Sequence, residues 1–248
     1  MEALSVELKE LSGGIKIKEK TFVGSKCYEC KFCKDTGFIV VNTKSLPKLV
    51  PCSSCIEKWR MRRILKNSGI TEYDYQRYTL EKFLTDTPEA IEMKELATKF
   101  LADEKAKGIG FFGRSGVGKT HICIGICQAL NKEHRYWQYR REIQKLKNVM
   151  YTNRDEYEKL IDLAAKTPIL YIDDLFKDAF DGKRIDRQDC QIMFQIINDR
   201  YIRELKTIIS SEYSLNLIFK ANEAIGSRIY EMIKPYVIKI DGENRRIR

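Results

Sequence analysis

Proline and glycine are sparse in this chain, at 5 and 14 of 248 residues, which excludes collagen-like and mucin-like architectures. No apolar run approaches the 18 or more residues that a bilayer-spanning helix requires. The opening MEALSVELKEL is an acidic amphipathic stretch without the apolar centre of a signal peptide. Internal repeats and low-complexity tracts are lacking too. The expectation is a cytoplasmic protein with no membrane partner. What is present is a globular composition, 43% hydrophobic and 32% charged, long enough for one large domain or for a medium domain with a smaller module attached. The net charge of +10 suits a polyanionic partner or nucleotide phosphates, and equally a merely basic surface. The excess is shared: residues 1–75 carry 14 Lys and Arg against 9 Asp and Glu, so +5 lies there and +5 on the rest.

Cysteine usage marks a boundary. Five of the eight lie between Cys27 and Cys55, and Cys123, Cys127 and Cys190 are scattered through apolar sequence. In a reducing compartment the spacing is read first for metal binding. Cys30-x-x-Cys33 and Cys52-x-x-Cys55 are separated by 18 residues, inside the window for a structural zinc site. Four thiolates satisfy tetrahedral Zn²⁺, and so short a segment needs the metal to fold. Cys27 offers an alternative pairing with Cys30. After the last ligand, IEKWRMRRILKN (Ile56–Asn67) predicts a basic amphipathic helix that stops at Gly69. Its basic face suits a protein partner, nucleic acid or plain solvation. The expected division is therefore a zinc-binding module over 1–69 and a larger domain over 70–248.

The larger part alternates strands with helices, which argues a parallel sheet. Expected strands are Gly108–Phe112, Arg135–Tyr139, Ile169–Asp173, Thr207–Ser211 and Tyr236–Ile240. Thr87 with Pro88 and Glu89 predicts one helix start, and Asn153 with Glu156 has the spacing of another. A further helix is expected over Ala221–Ile233.

The strongest motif is GRSGVGKT, comprising Gly113, Arg114, Ser115, Gly116, Val117, Gly118, Lys119 and Thr120. It fits G-x-x-x-x-G-K-[ST] and follows an apolar strand, the setting in which backbone N–H groups and a helix N-terminus converge on phosphates. Lys119 is expected to reach the β and γ phosphates of ATP, and Thr120 to hold Mg²⁺. PILYIDDL places Asp173 and Asp174 at the end of a buried strand, where Asp173 is expected to hold the Mg²⁺ shell and Asp174 to orient or deprotonate the attacking water. Strand four ends in SSE: here the chain resembles AAA+ ATPases, which commonly carry a polar sensor such as Asn where Glu212 stands, and that resemblance makes Ser211 the expected substitute. A carboxylate cannot donate a hydrogen bond to phosphate. Arg228, in the segment GSR, reads either as an arginine finger into a neighbour's ATP site or as a partner of Glu223 or Glu231. YRREIQKLK (Tyr139–Lys147) mixes rings with cations, as single-stranded nucleic acid binding requires.

Taken together, GRSGVGKT, ILYIDDL, TIISSEYS and IGSRIYE, preceded by YQRYTLEKF, resemble the DnaC/IstB-like branch of AAA+ ATPases over roughly Ile70–Arg248. With the four-cysteine module the chain is most similar to the replicative-helicase loaders of Gram-positive bacteria and their phages. The resemblance implies a five-stranded parallel P-loop core without a C-terminal lid, an N-terminal module that grips a hexameric replicative helicase, and slow ATP hydrolysis coupled to oligomers or DNA. It further implies single-stranded DNA binding, with YRREIQKLK in the clade's extra initiator and loader element and YQRYTLEKF lining the adenine. It also implies self-assembly through neighbouring ATP sites. A transposition-helper ATPase on the same core, and a regulatory DNA-binding protein with a weak ATPase, are the competing readings.

Overall fold

Five short strands, the central three buried along nearly their whole length, build the larger part of the molecule. The computed structural model describes residues 29–42, 46–180 and 184–247, in two compact units, Met1–Ile56 and Glu57–Arg248. In the larger unit β3 (Gly108–Gly113), β4 (His134–Gln138), β5 (Ile169–Asp173), β6 (Lys206–Ser211) and β7 (Val237–Ile240) form one parallel sheet in the order β4-β5-β6-β3-β7. Each lies within a residue of its expected position. β5 is buried from end to end, as a strand covered on both faces must be. Its Ile169 and Tyr171 join the core beneath α3 (Pro88–Ala102) and α4 (Lys119–Ala129), and Leu170 and Ile172 join the core beneath α5 (Tyr139–Val149), α6 (Arg154–Lys166), α7 (Arg187–Ile202) and α9 (Glu223–Ile233). Successive residues thus feed opposite layers, the period-two geometry of a strand.

The expected helix starts are observed. The Thr87 side chain accepts from Ala90 N–H with Pro88 in the first turn, and Asn153 accepts from Glu156 N–H at 3.1 Å. The helix expected over Ala221–Ile233 is α9, which begins at Glu223 because a preceding helix, α8 (Leu215–Ala221), ends at Ala221 and Asn222 serves both. Its N–H closes α8 on Ile218, while its side chain accepts from Ile225 N–H at 3.0 Å.

The basic helix after the cysteines, α1 (Ile56–Ser68), packs with the larger unit: Ile64 is buried, Leu65 joins the core beneath α3 and α4, and Arg60 donates to the Asn131 carbonyl at 3.1 Å. The compact units therefore divide at Ile56 and Glu57, where the sequence pattern had suggested Gly69. Deep in the same unit the guanidinium of Arg200, fully buried, donates to the carbonyls of Ala164, Thr167 and Lys206 and to Thr207 Oγ1. It tethers the end of α6, where orphan carbonyls favour a cation, to β6.

The smaller unit is a hairpin of β1 (Phe38–Asn42) and β2 (Pro47–Pro51), antiparallel, with the cysteines at its base. Among the described residues no helix is long and apolar enough to cross a membrane. Cys27 and the N-terminal amphipathic stretch lie outside the described residues.

Candidate nucleotide site and cysteine cluster

The loop between β3 and α4 is wound by backbone that only glycine accommodates freely. Gly113 has φ +149°, and a Cβ there would fall 1.9 Å from the Ile240 carbonyl oxygen; Gly116 has φ +81° and would clash with the Asn244 side chain at 1.8 Å. Val117 anchors the loop in the core at 4% exposure. Lys119 turns back over it, donating to the carbonyls of Gly113 (2.6 Å) and Arg114 (2.7 Å). Burial lowers the Lys119 pKa, with Asp174, Glu212 and Asp173 pulling the other way. Thr120 and Asp173, 53 residues apart in sequence, meet at 3.3 Å. The Asp173 carboxylate also accepts from Tyr136 (2.8 Å), Ser210 (2.6 Å) and Tyr171, so its orientation is fixed before any metal arrives. A hydroxyl beside a carboxylate is the hard oxygen pair that suits Mg²⁺.

Gly116, Lys119 and Thr120 border a cavity of about 580 Å³ that also takes in Ser115, Gly118, His121 and Asp174, within the range of small-molecule sites. Its far wall comes from α2 (Glu72–Arg77) and the loop after it, through Arg77, Tyr78, Lys82 and Leu84. Arg77, Tyr78 and Lys82 belong to the YQRYTLEKF segment, and Leu84 follows it directly. His121 packs on Tyr78 and edge-on against Phe83, each with ring centroids 5.1 Å apart.

The remaining expected residues separate. The Ser211 hydroxyl is committed to the Leu175 carbonyl at 2.8 Å and accepts from Tyr213 N–H. Its neighbour Ser210 is the one that touches Asp173 and the Asp174 N–H. The parallel register pairs Ile172 with Ile209 and so brings the next residues, Asp173 and Ser210, side by side. A strand buried on both faces shows no alternation from which to read this. Glu212 receives Lys177 at 2.8 Å, and Lys177 also holds Asp174 at 2.9 Å. Burial raises the Glu212 pKa, but Lys177, Lys119 and a hydrogen bond with Ser115 carry it below the usual carboxylate range. Arg228 borders neither this cavity nor Glu223 or Glu231. Its Nε donates to Asn198 Oδ1 at 2.9 Å, and its guanidinium lies 5.0 Å from the Phe194 ring centre and 5.9 Å from that of Tyr201.

Sequence reasoning missed two arginines. After β7 the chain returns over the phosphate loop, where Arg245 N–H donates to the Gly116 carbonyl at 3.0 Å and Arg245 and Arg246 line the cavity. The only signal was the Arg pair in NRRIR, which in sequence is indistinguishable from a solvated tail.

On α5 the exposed cations are Arg140, Arg141 and Lys145, each with an acidic neighbour (Asp178, Glu142 and Glu142). Lys147 is instead locked between Asp186 and Asp189.

In the smaller unit the sulfur atoms of Cys30, Cys33, Cys52 and Cys55 all lie within 4.8 Å of one another. Cys30 and Cys52 are 3.7 Å apart, and Cys33 and Cys55 are 3.3 Å apart. Four sulfurs at about 2.3 Å from a zinc ion sit about 3.8 Å from each other, so the cluster fits the ion, while a disulfide would need about 2.05 Å. Both Cys-x-x-Cys pairs turn through backbone bonds, Lys34 N–H to the Cys30 carbonyl and Ile56 N–H to the Cys52 carbonyl, each 2.9 Å.

A glycine-rich loop closing on Lys119 and Thr120, beside an aspartate pair at the end of β5 in a five-stranded parallel sheet, defines an ATP-binding P-loop protein of the AAA+ class. The family model described as IstB-like ATP binding protein matches residues 54–246, and the chain belongs to that IstB/DnaC-like family. It is 29% identical over 227 residues to the phage-like element PBSX protein XkdC of Bacillus subtilis (strain 168), covering 87% of this chain and 83% of that one. It is 25% identical to the replicative helicase loader DnaI of the same organism, covering 90% of this chain and 78% of that one. The crystal structure of the DnaC helicase loader matches with a TM-score of 0.58 at 25% identity, over 68% of this chain and 100% of that one.

Proposed function

We propose that this chain is an ATP-dependent loader of a replicative DNA helicase: it binds MgATP and single-stranded DNA and delivers the hexameric helicase when replication starts, in the cytoplasm. The observation that carries this reading is the extent of the likeness to DnaI. At 90% of this chain, the match leaves too few residues outside it to omit the four-cysteine segment, whereas the family model begins only at residue 54. The likeness therefore spans the cysteine module together with the ATPase core.

Within this reading Lys119 binds the β and γ phosphates and Thr120 and Asp173 hold Mg²⁺. The ion, when bound, neutralises charge between the phosphates. Asp174 orients water, and Arg228 completes the site of a neighbouring copy. Arg228 suits that part because it is braced by Asn198 and two rings and lies away from its own cavity. Arg140, Arg141 and Lys145 contact DNA phosphates. Cys30, Cys33, Cys52 and Cys55 hold Zn²⁺, and the module they close grips the helicase. ATP acts as a switch, its γ-phosphate and the contacts between copies changing together, more than as fuel for rapid turnover. The test is co-purification of the full chain with a replicative helicase, with zinc content measured, for wild type, Cys52→Ser and Lys119→Ala. Wild type is expected to bind the helicase, Cys52→Ser to lose both zinc and helicase, and Lys119→Ala to bind without loading. A wild-type chain that binds no such helicase, or a Lys119→Ala variant that loads as well as wild type, would overturn the proposal.

A further inference from the structure

Glu212 poses a problem that its surroundings answer. Standing at the end of β6 within the influence of Lys119 and hydrogen-bonded with Ser115 of the phosphate loop, a lone carboxylate would repel a γ-phosphate and offer it no hydrogen. It is not alone. The turn after β5 is tightly wound, with positive φ at Asp174 (54°), Phe176 (64°) and Asp178 (62°), and Lys177 borders, with Asp173 and Asp174, a second cavity that shares Asp174 with the one over the phosphate loop. The Lys177 Nζ lies 2.9 Å from Asp174 Oδ2 and 2.8 Å from Glu212 Oε1. Lys177 and Asp174 are each 33% exposed and Glu212 30%, so the ring is sheltered yet open to a ligand. An ammonium has three donors, and two are engaged here.

We infer that Lys177, held in place by Glu212, is the residue through which this chain senses the γ-phosphate. The pair delivers a cationic N–H donor to the end of β6, the place where a neutral polar side chain would otherwise stand. Glu212 positions the ammonium, and the third donor of Lys177 is left for a phosphate oxygen. ADP offers no oxygen at that place, so the contact separates the two nucleotides. The substitution of Glu for a neutral sensor is then matched by Lys177. This inference rests on the ATP-binding reading above.

The experiment is equilibrium binding of fluorescent ADP and of a fluorescent non-hydrolysable ATP analogue, with Mg²⁺, to the full chain. Losing a charge-assisted hydrogen bond costs about tenfold or more in affinity. Lys177→Met is therefore expected to weaken the ATP analogue by about that factor, with ADP kept within about twofold, and Lys177→Arg to retain most of the preference. Adding Glu212→Asn to Lys177→Met should restore most of the lost affinity, since it removes the repelling carboxylate and supplies a neutral donor. A strut that merely supports the fold would lower both affinities together, and that result overturns the inference. So does an unchanged ATP affinity, or a double variant no better than Lys177→Met alone. Failure of the wild-type chain to bind either nucleotide would overturn the ATP reading as well, which distinguishes the two failures.

Discussion

In the hairpin of the smaller unit Phe38, Val40 and Leu49 stand 49%, 54% and 67% exposed, and Ile39 is the hydrophobic residue packed against the cysteines. In β5 every residue is buried, and two apolar cores flank the sheet to which it belongs. The two regions stay folded by different means. The larger buries enough side chains for apolar burial to offset the loss of chain entropy. The smaller does not, and what it buries is a cluster of four sulfurs spaced to fit a zinc ion.

Metal removal should separate the two most sharply. Structural zinc contributes on the order of 10 kcal/mol to the folding of small modules, so chelation or Cys52→Ser is expected to unfold the hairpin. The melting transition of the larger unit, followed by the fluorescence of buried Trp137, should persist. Loss of both transitions together would break the comparison. Arg200→Met attacks the other side. It leaves the Ala164, Thr167 and Lys206 carbonyls without this donor and removes its bond to Thr207 Oγ1, and should cost the larger unit about 4 kcal/mol in denaturant unfolding, with zinc content unchanged. Lys119→Ala should leave both regions folded and lower ATP affinity roughly a hundredfold, about 3 kcal/mol, measured by titration.

Acidification tests the larger unit more gently. Burial lowers the pKa values of His134 and His121, against a weaker upward pull from the carbonyls of Lys132 and Thr79. The unfolded chain therefore binds more protons than the folded one once pH falls below about 6.5, and stability drops with pH by up to about 1.4 kcal/mol per unit for each histidine. Melting temperatures between pH 7 and 5 should show the decline, and His134→Asn should flatten it. The smallest effect belongs to Asn153→Ala, which removes one helix cap and should cost about 1 kcal/mol, read by thermal melting.

How much could be read in advance depended on whether a signal was local. The phosphate loop, the helix caps at Thr87 and Asn153 and the two Cys-x-x-Cys turns each lie within a few consecutive residues, and all are found where the pattern puts them. The resemblance likewise anticipated the YQRYTLEKF wall of the cavity. Ser210 and Lys177 were missed because their meaning comes from partners on other strands: register sets Ser210 beside Asp173, and a turn of positive φ brings Lys177 to Glu212. Arg245 and Arg246 were missed because the short stretch after β7 has no periodicity to betray what it covers.

The sequence by itself determined the P-loop core, its five strands in near-final positions, and a cysteine spacing suited to zinc, since spacing along a chain is enough to specify turns, caps and ligand pairs. Only the tertiary structure decided that α1 packs with the P-loop core, that Arg228 is braced by Asn198 and two rings, and that Glu212 is joined to Lys177. Those contacts link residues tens of positions apart, and sheet register and packing of the whole fold bring them within bonding distance.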